Sequence, residues 1–533
     1  MVRMVRKFVA CLGLAAALAV AAGMPPTAFA EPKPGGTLVW VTQFNPRHLN
    51  SAVQSGVATG MPAAQIFASP LRYDDKWNPQ PYLAESWSVA ADGLSVTLHL
   101  VKNATFHDGK PVTSKDVAFS VKTVKEHHPF KSMFEPVTAV ETPDPYTAIL
   151  RLAHPHPAIL LAMSPALLPI LPEHIYGDGQ DPKTHPANMK PIGAGPFKVE
   201  EFKSGDYITL VRNENYFLKG RPYLDRIVVR VIPDGANRAI TMERGEGHLL
   251  AYEDQLREIA RLQKLDHLAV TDKGYEGVGA LVWLAFNTRK EPLNNKAVRQ
   301  AISYAIDKSF ITKALMLGLG TRAYGPIAPG SPFASSALEP YELDLDKANR
   351  LLDEAGFKRG ADGVRFSITV DYIPGSPLQK SLAEYLKPQL KKIGIQTEPR
   401  PSPDFPTWAQ RVSNHDFDTT IDAVFNWGDP VIGVHRTYLS SNIQKGVIWS
   451  NTQSYANSQV DQLLQQAARE LNPDVRKQLY NEFQRIVVDD APISYLALIP
   501  YRTVYHRGLA NVPENIWGVM SPLDEVYWET PPK

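Results

Sequence analysis

Beyond residue 30 the chain contains no cysteine. The roughly 500 residues that follow can form neither a disulfide nor a thiolate metal site, so packed cores must hold them together. That length exceeds what one hydrophobic core supports, and two or three domains are expected. The single cysteine, Cys11, sits in a segment of another character. Met1–Lys7 carries Arg3, Arg6 and Lys7 without an acidic residue, an apolar run extends from Phe8 to Ala22, and Pro25-Pro26 precedes Ala28-Phe29-Ala30. A basic start, a short apolar middle and a small-residue exit describe a secretory signal peptide over residues 1–30, cleaved near Ala30. The apolar run falls short of the about 20 residues that span a bilayer. Cys11 lies at its start and not behind a cleavage box, which argues against lipid attachment.

Over the whole chain 56 basic residues face 55 acidic ones, and removing the signal leaves 53 against 55. Such a balance gives no electrostatic footprint for nucleic acid, and no nucleic-acid partner is expected. The 45 prolines are scattered, many beside Gly, Asp or Asn, and punctuate a turn-rich globular chain. No repeat of about 20–50 residues is visible, and no second apolar stretch is long enough for a membrane span.

Thr37–Gln43 follows the Gly35-Gly36 turn and reads as a first strand. Ser86–Ala90 and Leu94–Leu100 flank Ala91-Asp92-Gly93, a hairpin with D-G at its turn. Thr113-x-x-Asp116 has the form of a capping box and opens a helix to about Lys125. Further hairpins pair Val137–Glu141 with Thr147–Leu152 and Phe197–Phe202 with Tyr207–Asn213, before a strand at Arg226–Ile232. Helices are then predicted over 235–244, 254–264, 295–307, 309–317, 346–355, 377–393, 458–470 and 473–488. Strands are predicted over 279–287, 366–371, 395–398, 417–425 and 493–499. This alternation, with hairpins mixed in, predicts an α/β fold.

Residues 191–217 read PIGAGPFKVEEFKSGDYITLVRNENYF. They suggest a phosphate loop, but the third glycine of a dinucleotide fingerprint is missing and Pro196 lacks an N–H. A strand also follows where a helix N-terminus would be needed. Gly318-Leu319-Gly320-Thr321-Arg322-Ala323 fails the same test because it follows a helix. His154-Pro155-His156-Pro157 and His127-His128 suggest metal ligation, yet no partner ligand stands nearby in sequence, and a structural role is the simpler reading. There is no H-E-x-x-H, G-x-S-x-G or Walker loop.

Phe425-Asn426-Trp427-Gly428-Asp429-Pro430 is more informative. It ends a predicted strand with a Trp and a carboxylate, a pair suited to stacking a ligand and neutralising a cation. A core Trp beside a D-P turn is the competing reading. Arg436 and Tyr438 follow at strand period two and would share one face. Trp283 in the strand 279–287, Tyr252 before a helix, and Phe44 and Asn45 beyond the first strand complete the candidates. For the aromatic ones, core packing is the alternative. No residue is assigned to catalysis, to a metal or to a cofactor.

Four segments, in order, resemble the extracellular solute-binding proteins of family 5, which include dipeptide-, oligopeptide- and nickel-binding components of ABC importers. They are YLAESWSVAADGLSVTLHL (82–100), ATFHDGKPVTSKDVAFSVK (104–122), the glycine segment 191–217, and LAFNTRKEPLNNKAVRQAISYAIDK (284–308). The resemblance runs over nearly the whole chain after the signal. It implies an α/β, two-lobed periplasmic-binding-protein clamshell with an extra subdomain in the first lobe. That lobe would be discontinuous, formed by 31–72, 187–282 and 496–533, with 73–186 inserted as the subdomain. The second lobe would be 283–495, hinged near 282 and 495. The resemblance further implies a periplasmic monomer, not an enzyme, that captures a peptide or peptide-like small solute and delivers it to ABC transporter permease subunits. In proteins of this kind G-x-G-P-F leads into paired strands and R-N-x-x-Y closes the hairpin. The glycines then supply backbone conformations that other residues resist.

Two departures bear on the ligand. Peptide-binding members show W-x-x-D ahead of an acidic-Pro pair, and the first aspartate meets the peptide's ammonium. Here Trp427-Gly428-Asp429-Pro430 is shorter, and Asp429 aligns with the acidic-Pro pair. The ammonium partner is then missing unless Asp429 or Glu253 supplies it. Second, His248 in Gly245-Glu246-Gly247-His248 stands where an acidic residue is common. Arg436 could hold a carboxylate or phosphate in a bidentate contact, favouring an anionic or opine-like ligand, or pair with Asp429 as structure. Oligosaccharide, metal and haem cargoes stay open on the same fold, and an exported hydrolase is the reading from another class.

Overall fold

The computed structural model describes residues 32–531. The signal segment, with Cys11 and the cleavage position at Ala30, lies outside the described residues. Seven strands form the first sheet, in the spatial order Leu268–Thr271, Arg502–His506, Leu249–Glu253, Thr37–Thr42, Arg226–Val231, Tyr207–Arg212 and Phe197–Lys203. Thr37–Thr42 is central and runs parallel to both neighbours, with Trp40 opposite Val229 on one side and Leu249 on the other. Five strands form the second sheet: Ile395–Arg400, Phe366–Tyr372, Thr419–Phe425, Ala280–Phe286 and Ile493–Leu498.

The sequence ALVWLAF explains its own place in that second sheet. Every residue of Ala280–Phe286 is buried, because the strand has a partner on each edge and a core on each face. Val282, Leu284 and Phe286 enter one core, and Leu281, Trp283 and Ala285 the other. A third, antiparallel sheet orders Ala84–Val89, Ser95–Leu100, Thr147–Leu152 and Val137–Asp144, covered by the helix Ser114–His127. Its first hairpin turns on Gly93 at φ 67°, while the Asp92 carboxylate accepts the Leu94 N–H at 2.9 Å. The covering helix begins with the reciprocal Thr113–Asp116 capping box its sequence predicts.

Gly205 adopts the left-handed backbone expected of the glycines of 191–217, at φ 80°, but Gly193 and Gly195 serve a different end. Neither Gly193 nor Gly195 has a positive φ. A Cβ on Gly193 would lie 2.0 Å from the Ile66 carbonyl oxygen, and one on Gly195 within 2.6 Å of the Gln65 oxygen. Close backbone approach, not a left-handed conformation, is what requires glycine there. His107 clasps the loop, its Nδ1 accepting the Gly193 N–H at 3.2 Å and its Nε2 lying 3.1 Å from the Gly195 carbonyl. Other differences are local. The helix Val57–Ile66 carries two features that disfavour helices, Gly60 and Pro62, yet burial of nearly all its residues imposes it. The segment 309–317 is a short helix, Lys308–Phe310, widening into a π-turn at Ile311–Leu315. Among the described residues no helix is long and apolar enough to cross a membrane.

The chain passes between the two large sheets twice, through 272–279 and 499–501. Strand pairing fixes where these crossings fall. Thr42, Val231, Glu253 and Thr271 end at one edge of the first sheet, where Arg502 begins. Tyr372, Arg400 and Phe425 end at one edge of the second, where Ala280 begins and Leu498 ends. Both crossings join these edges, so carboxyl ends of strands from both sheets meet along one seam. Ligands of open α/β sheets bind at such ends.

Candidate ligand site between the sheets

Aromatic rings line the seam in one connected series. Phe44 follows the central strand of the first sheet and meets Tyr252 edge-on at 6.3 Å. Tyr252 packs against Tyr275 at 4.9 Å and Tyr501 at 5.2 Å, which lie in the two crossings. Tyr501 reaches Phe425 at 6.5 Å, Phe425 reaches Trp427 at 5.8 Å, and Trp427 reaches Phe130 at 5.3 Å. Phe130 belongs to the segment that carries the four-stranded sheet. The Arg436 guanidinium ends the series, 5.0 Å from the centre of the Phe130 ring. Tyr252 is buried with φ 55°, and its hydroxyl has no hydrogen-bond partner among the described residues. A buried hydroxyl without a partner is costly.

Trp427 thus lies in the seam. Its backbone and that of Gly428 are left-handed, at φ 51° and 79°, and a Cβ on Gly428 would come within 2.4 Å of Leu161. Asp429 is turned inward. Both terminal nitrogens of Arg476 donate to its two oxygens at 2.7 Å, and the Val431 N–H donates to Oδ1 at 3.0 Å. Burial alone would raise this carboxyl's pKa; Arg476 outweighs burial and holds it below the ordinary range. Glu253 is likewise engaged by Arg238 at 2.7 and 3.0 Å and accepts the Gln255 N–H at 2.8 Å. The expectation that Asp429 or Glu253 offers a free carboxylate to an ammonium is therefore corrected, since arginine occupies both. Pairing of Arg436 with Asp429 is corrected too, because Arg476 holds that place.

Arg436 and Tyr438 do not share a face. His435–Tyr438 is a helical turn, where residues two apart point in nearly opposite directions. Tyr438 is buried with its hydroxyl 2.7 Å from that of Tyr495, and Trp283 packs edge-on against the same Tyr495 at 6.2 Å. Both fill the core on one face of the second sheet. Asn45 is exposed, and its side-chain oxygen accepts the Gly205 N–H at 2.9 Å, tying the first strand's end to a hairpin turn. His248 accepts the Val39 N–H on Nδ1 at 3.0 Å, an acceptor role that a carboxylate can also fill. Burial, with the charge of His506 acting in the same direction, lowers its pKa to about 4 and keeps the ring neutral for that bond. His156 sets Nε2 3.0 Å from the Met133 carbonyl, and His128 accepts the Phe130 N–H at 3.0 Å.

Reading the sequence does not single out Asp422, one charge inside a β-rich run. Six carboxylate residues are buried among the described residues. Arginines pair with Glu253, Asp371, Asp429 and Asp524, and Asp116 caps a helix. Asp422 has neither kind of partner. Its Oδ1 accepts the Ala423 N–H at 2.6 Å and the Trp449 indole N–H at 3.3 Å, and Oδ2 accepts nothing among the described residues. Burial raises this carboxyl to about 7, which its two hydrogen bonds and the Arg436 charge only partly oppose. Half-buried Arg436 donates from Nε to the Gly433 carbonyl at 3.2 Å, and neither terminal nitrogen has an acceptor among the described residues. Burial lowers it to about 10 against the pull of Asp422. Each group feels the other's charge without ion-pair contact.

A cavity of about 500 Å³ opens on the same seam, where Asp254, Gln255 and Leu256 of the first sheet's side face Pro377 and Leu378 of the second's. Burial, and then the charge of Glu253, lift Asp254 to about 6. Among the described residues Asp254 and Arg257 of this cavity make no ion pair. Among the described residues no group of three or more His, Cys, Asp and Glu is placed to hold a metal ion.

Comparison with known proteins agrees with this geometry. The profile of "Bacterial extracellular solute-binding proteins, family 5 Middle" matches residues 78–446. The chain is 31% identical to heme-binding protein A of Haemophilus influenzae, over 78% of each chain. It is 30% identical to the oligopeptide-binding protein AppA of Bacillus subtilis, over 92% of this chain and 89% of that one. The crystal structure of NikZ from Campylobacter jejuni in complex with Ni(L-His) superposes with a TM-score of 0.79 at 26% identity, covering 91% of this chain and 97% of NikZ.

Proposed function

The chain belongs to family 5 of the bacterial extracellular solute-binding proteins, and on that premise we propose that it is the periplasmic capture component of an ABC importer. It takes up a peptide or peptide-like small solute as a monomer and hands it to permease subunits in the membrane. The seven-stranded sheet and the five-stranded sheet are the bases of its two lobes, divided at the crossings 272–279 and 499–501, with 73–186 inserted in the first. The crossings are the hinge. A solute touching Tyr252 on one side and Arg436 on the other has both contacts only when the lobes are together, so it favours closure by its differential affinity for that state. The closed form is what a permease recognises.

The observation that carries this reading is the continuous aromatic series across the seam, ending in a guanidinium with two unengaged nitrogens. Rings accept varied side chains with little directional demand, and an Arg fork fixes a carboxylate. The relatives named above take haem, oligopeptide and a nickel–histidine complex. An oligopeptide can use both the rings and the fork, and so can haem through its macrocycle and propionates, so the released cargo decides between them.

Native mass spectrometry of the protein as purified, before and after mild denaturation, tests the proposal. A released peptide-like mass is expected. Release of haem or nickel instead overturns the peptide reading. Trp427→Ala should weaken binding of the released peptide at least tenfold, about 1.4 kcal/mol, with the fold intact by circular dichroism.

A further inference from the structure

We propose that Trp77 is a latch between the two lobes: it fastens the inserted segment 73–186 to the second lobe in the closed form and positions the seam without touching the solute. The inference rests on the two-lobed capture reading above and names what holds the capturing form shut. Leu71–Tyr73 and Pro79–Pro81 pair as a short antiparallel hairpin, and residues 74–78 are its turn. The Asp74 carboxylate organises that turn. It accepts the Lys76 and Asn78 N–H groups at 2.8 Å, the Asn78 side-chain amide at 2.9 Å and that of Gln80 at 3.2 Å. The Asp74 carbonyl accepts the Ile516 N–H at 3.4 Å, which ties the turn to the carboxyl-terminal segment of the first lobe. Trp77 stands near the tip with φ 66°, a conformation that costs a residue with a Cβ and persists only where its surroundings impose it. From there its indole N–H donates to the Gly330 carbonyl at 3.2 Å.

Gly330 belongs to the second lobe, in the loop between Ile311–Leu315 and Leu345–Glu354. One residue fastens that loop to the seam. The Asn426 side-chain oxygen accepts the Ala328 N–H at 2.7 Å, and its amide donates to the Pro326 carbonyl at 3.3 Å. Asn426 is buried and directly precedes Trp427, the ring that meets Phe425 and Phe130. One line of contacts therefore runs from Asp74 through Trp77, Gly330 and Asn426 to the aromatic series. Trp77 is half-buried and Gly330 exposed, so water competes for their bond, and the latch biases closure without locking it. No solute atom takes part in it. The latch therefore favours the closed form in the empty protein too, and a share of the molecules closes before capture. A solute then finds part of the closing already done.

Because residues 31–533 hold no cysteine, a nitroxide pair can be placed at Lys102→Cys in the inserted segment and Lys477→Cys in the second lobe, both exposed. Double electron–electron resonance is measured on protein freed of cargo by mild denaturation and refolding. Wild type should show a closed distance, the one this structure gives, beside an open one. Trp77→Ala and Asp74→Ala should each lower the ratio of closed to open by about threefold or more, and the double variant no further than either alone. Trp77→Phe keeps a ring but no N–H and should lie between wild type and Trp77→Ala. Melting curves followed by circular dichroism establish that each variant is folded. Unchanged populations in Trp77→Ala, or a wild type wholly open, overturn the latch and leave the two-lobed reading standing. The closed distance alone, in wild type and in both alanine variants, overturns the hinge and the capture reading with it.

Discussion

Asp422 and Asp429 are seven residues apart, both are buried, and they are treated in opposite ways. Asp429 opens a loop and is saturated: both oxygens meet Arg476, and Phe333 and Tyr480 pack around that guanidinium. Asp422 sits in a strand with one oxygen open, beside an arginine that does not reach it. A sequence motif gives the two the same letter, but only the first is a structural part. The difference teaches where this fold needs an ion pair to hold itself together. The ion pair is closed at Asp429, where the loop must keep its shape, and absent at Asp422, where the strand ladder holds the backbone.

The strongest way to break this contrast is Arg476→Met, which leaves Asp429 buried and alone. Stability by chemical denaturation should fall by about 3–5 kcal/mol, and a loss below about 1 kcal/mol would make Asp429 no more structural than a surface carboxylate. Acidification sharpens the same point. Asp429 has a native pKa below its unfolded value, so the stability it contributes is present above the unfolded value of about 3.9 and is lost as pH falls through the native one.

Asp422 has the opposite sign. Its native pKa of about 7 lies above the unfolded value, so its contribution is full below about pH 4 and is lost as pH rises through 7. The groups facing it are Ala423 N–H, Trp449 and Arg436. Asp422→Asn, free of solute, should therefore gain stability relative to wild type between pH 5 and pH 8, by roughly 1–3 kcal/mol. A melting-temperature difference that does not change with pH would show Asp422 to be paired after all. The smallest effect is expected for Phe130→Ala. It removes the ring under Arg436 and beside Trp427, and solute affinity measured by Trp fluorescence should drop about threefold to tenfold.

Much of the scaffold is legible because local chemistry and burial agree. The Asp92-Gly93 turn, the Thr113–Asp116 box and the run ALVWLAF each contain their own reason. Val57–Ile66 is not legible, because its propensity argues against the helix that tertiary burial enforces. The glycines at 193 and 195 announce a constraint without saying which, since the Ile66 carbonyl that excludes a Cβ is more than a hundred residues away in sequence. The site is less legible still. Trp427 can be found at a strand exit, but Asp429's partner lies 47 residues on, and no spacing rule reaches it. Arg436 and Tyr438 mislead, since four residues of helix replace the strand their period suggests. Asp422 becomes visible only when every other buried carboxylate has been matched to a partner.

The position of Arg502–His506 has a consequence for how such a chain matures. This strand lies inside the seven-stranded sheet, between Leu249–Glu253 and Leu268–Thr271, and Trp528 donates its indole N–H to the Thr37 carbonyl at 3.3 Å. A chain emerging amino end first can pair every strand of the five-stranded sheet, since all lie between Ala280 and Leu498, while the first sheet still has a gap. Until the carboxyl terminus arrives, the edges of that gap are open to wrong partners. The carboxyl end therefore comes last in the order of events, and the last few dozen residues decide when a newly made chain closes the gap in its first sheet and covers those edges.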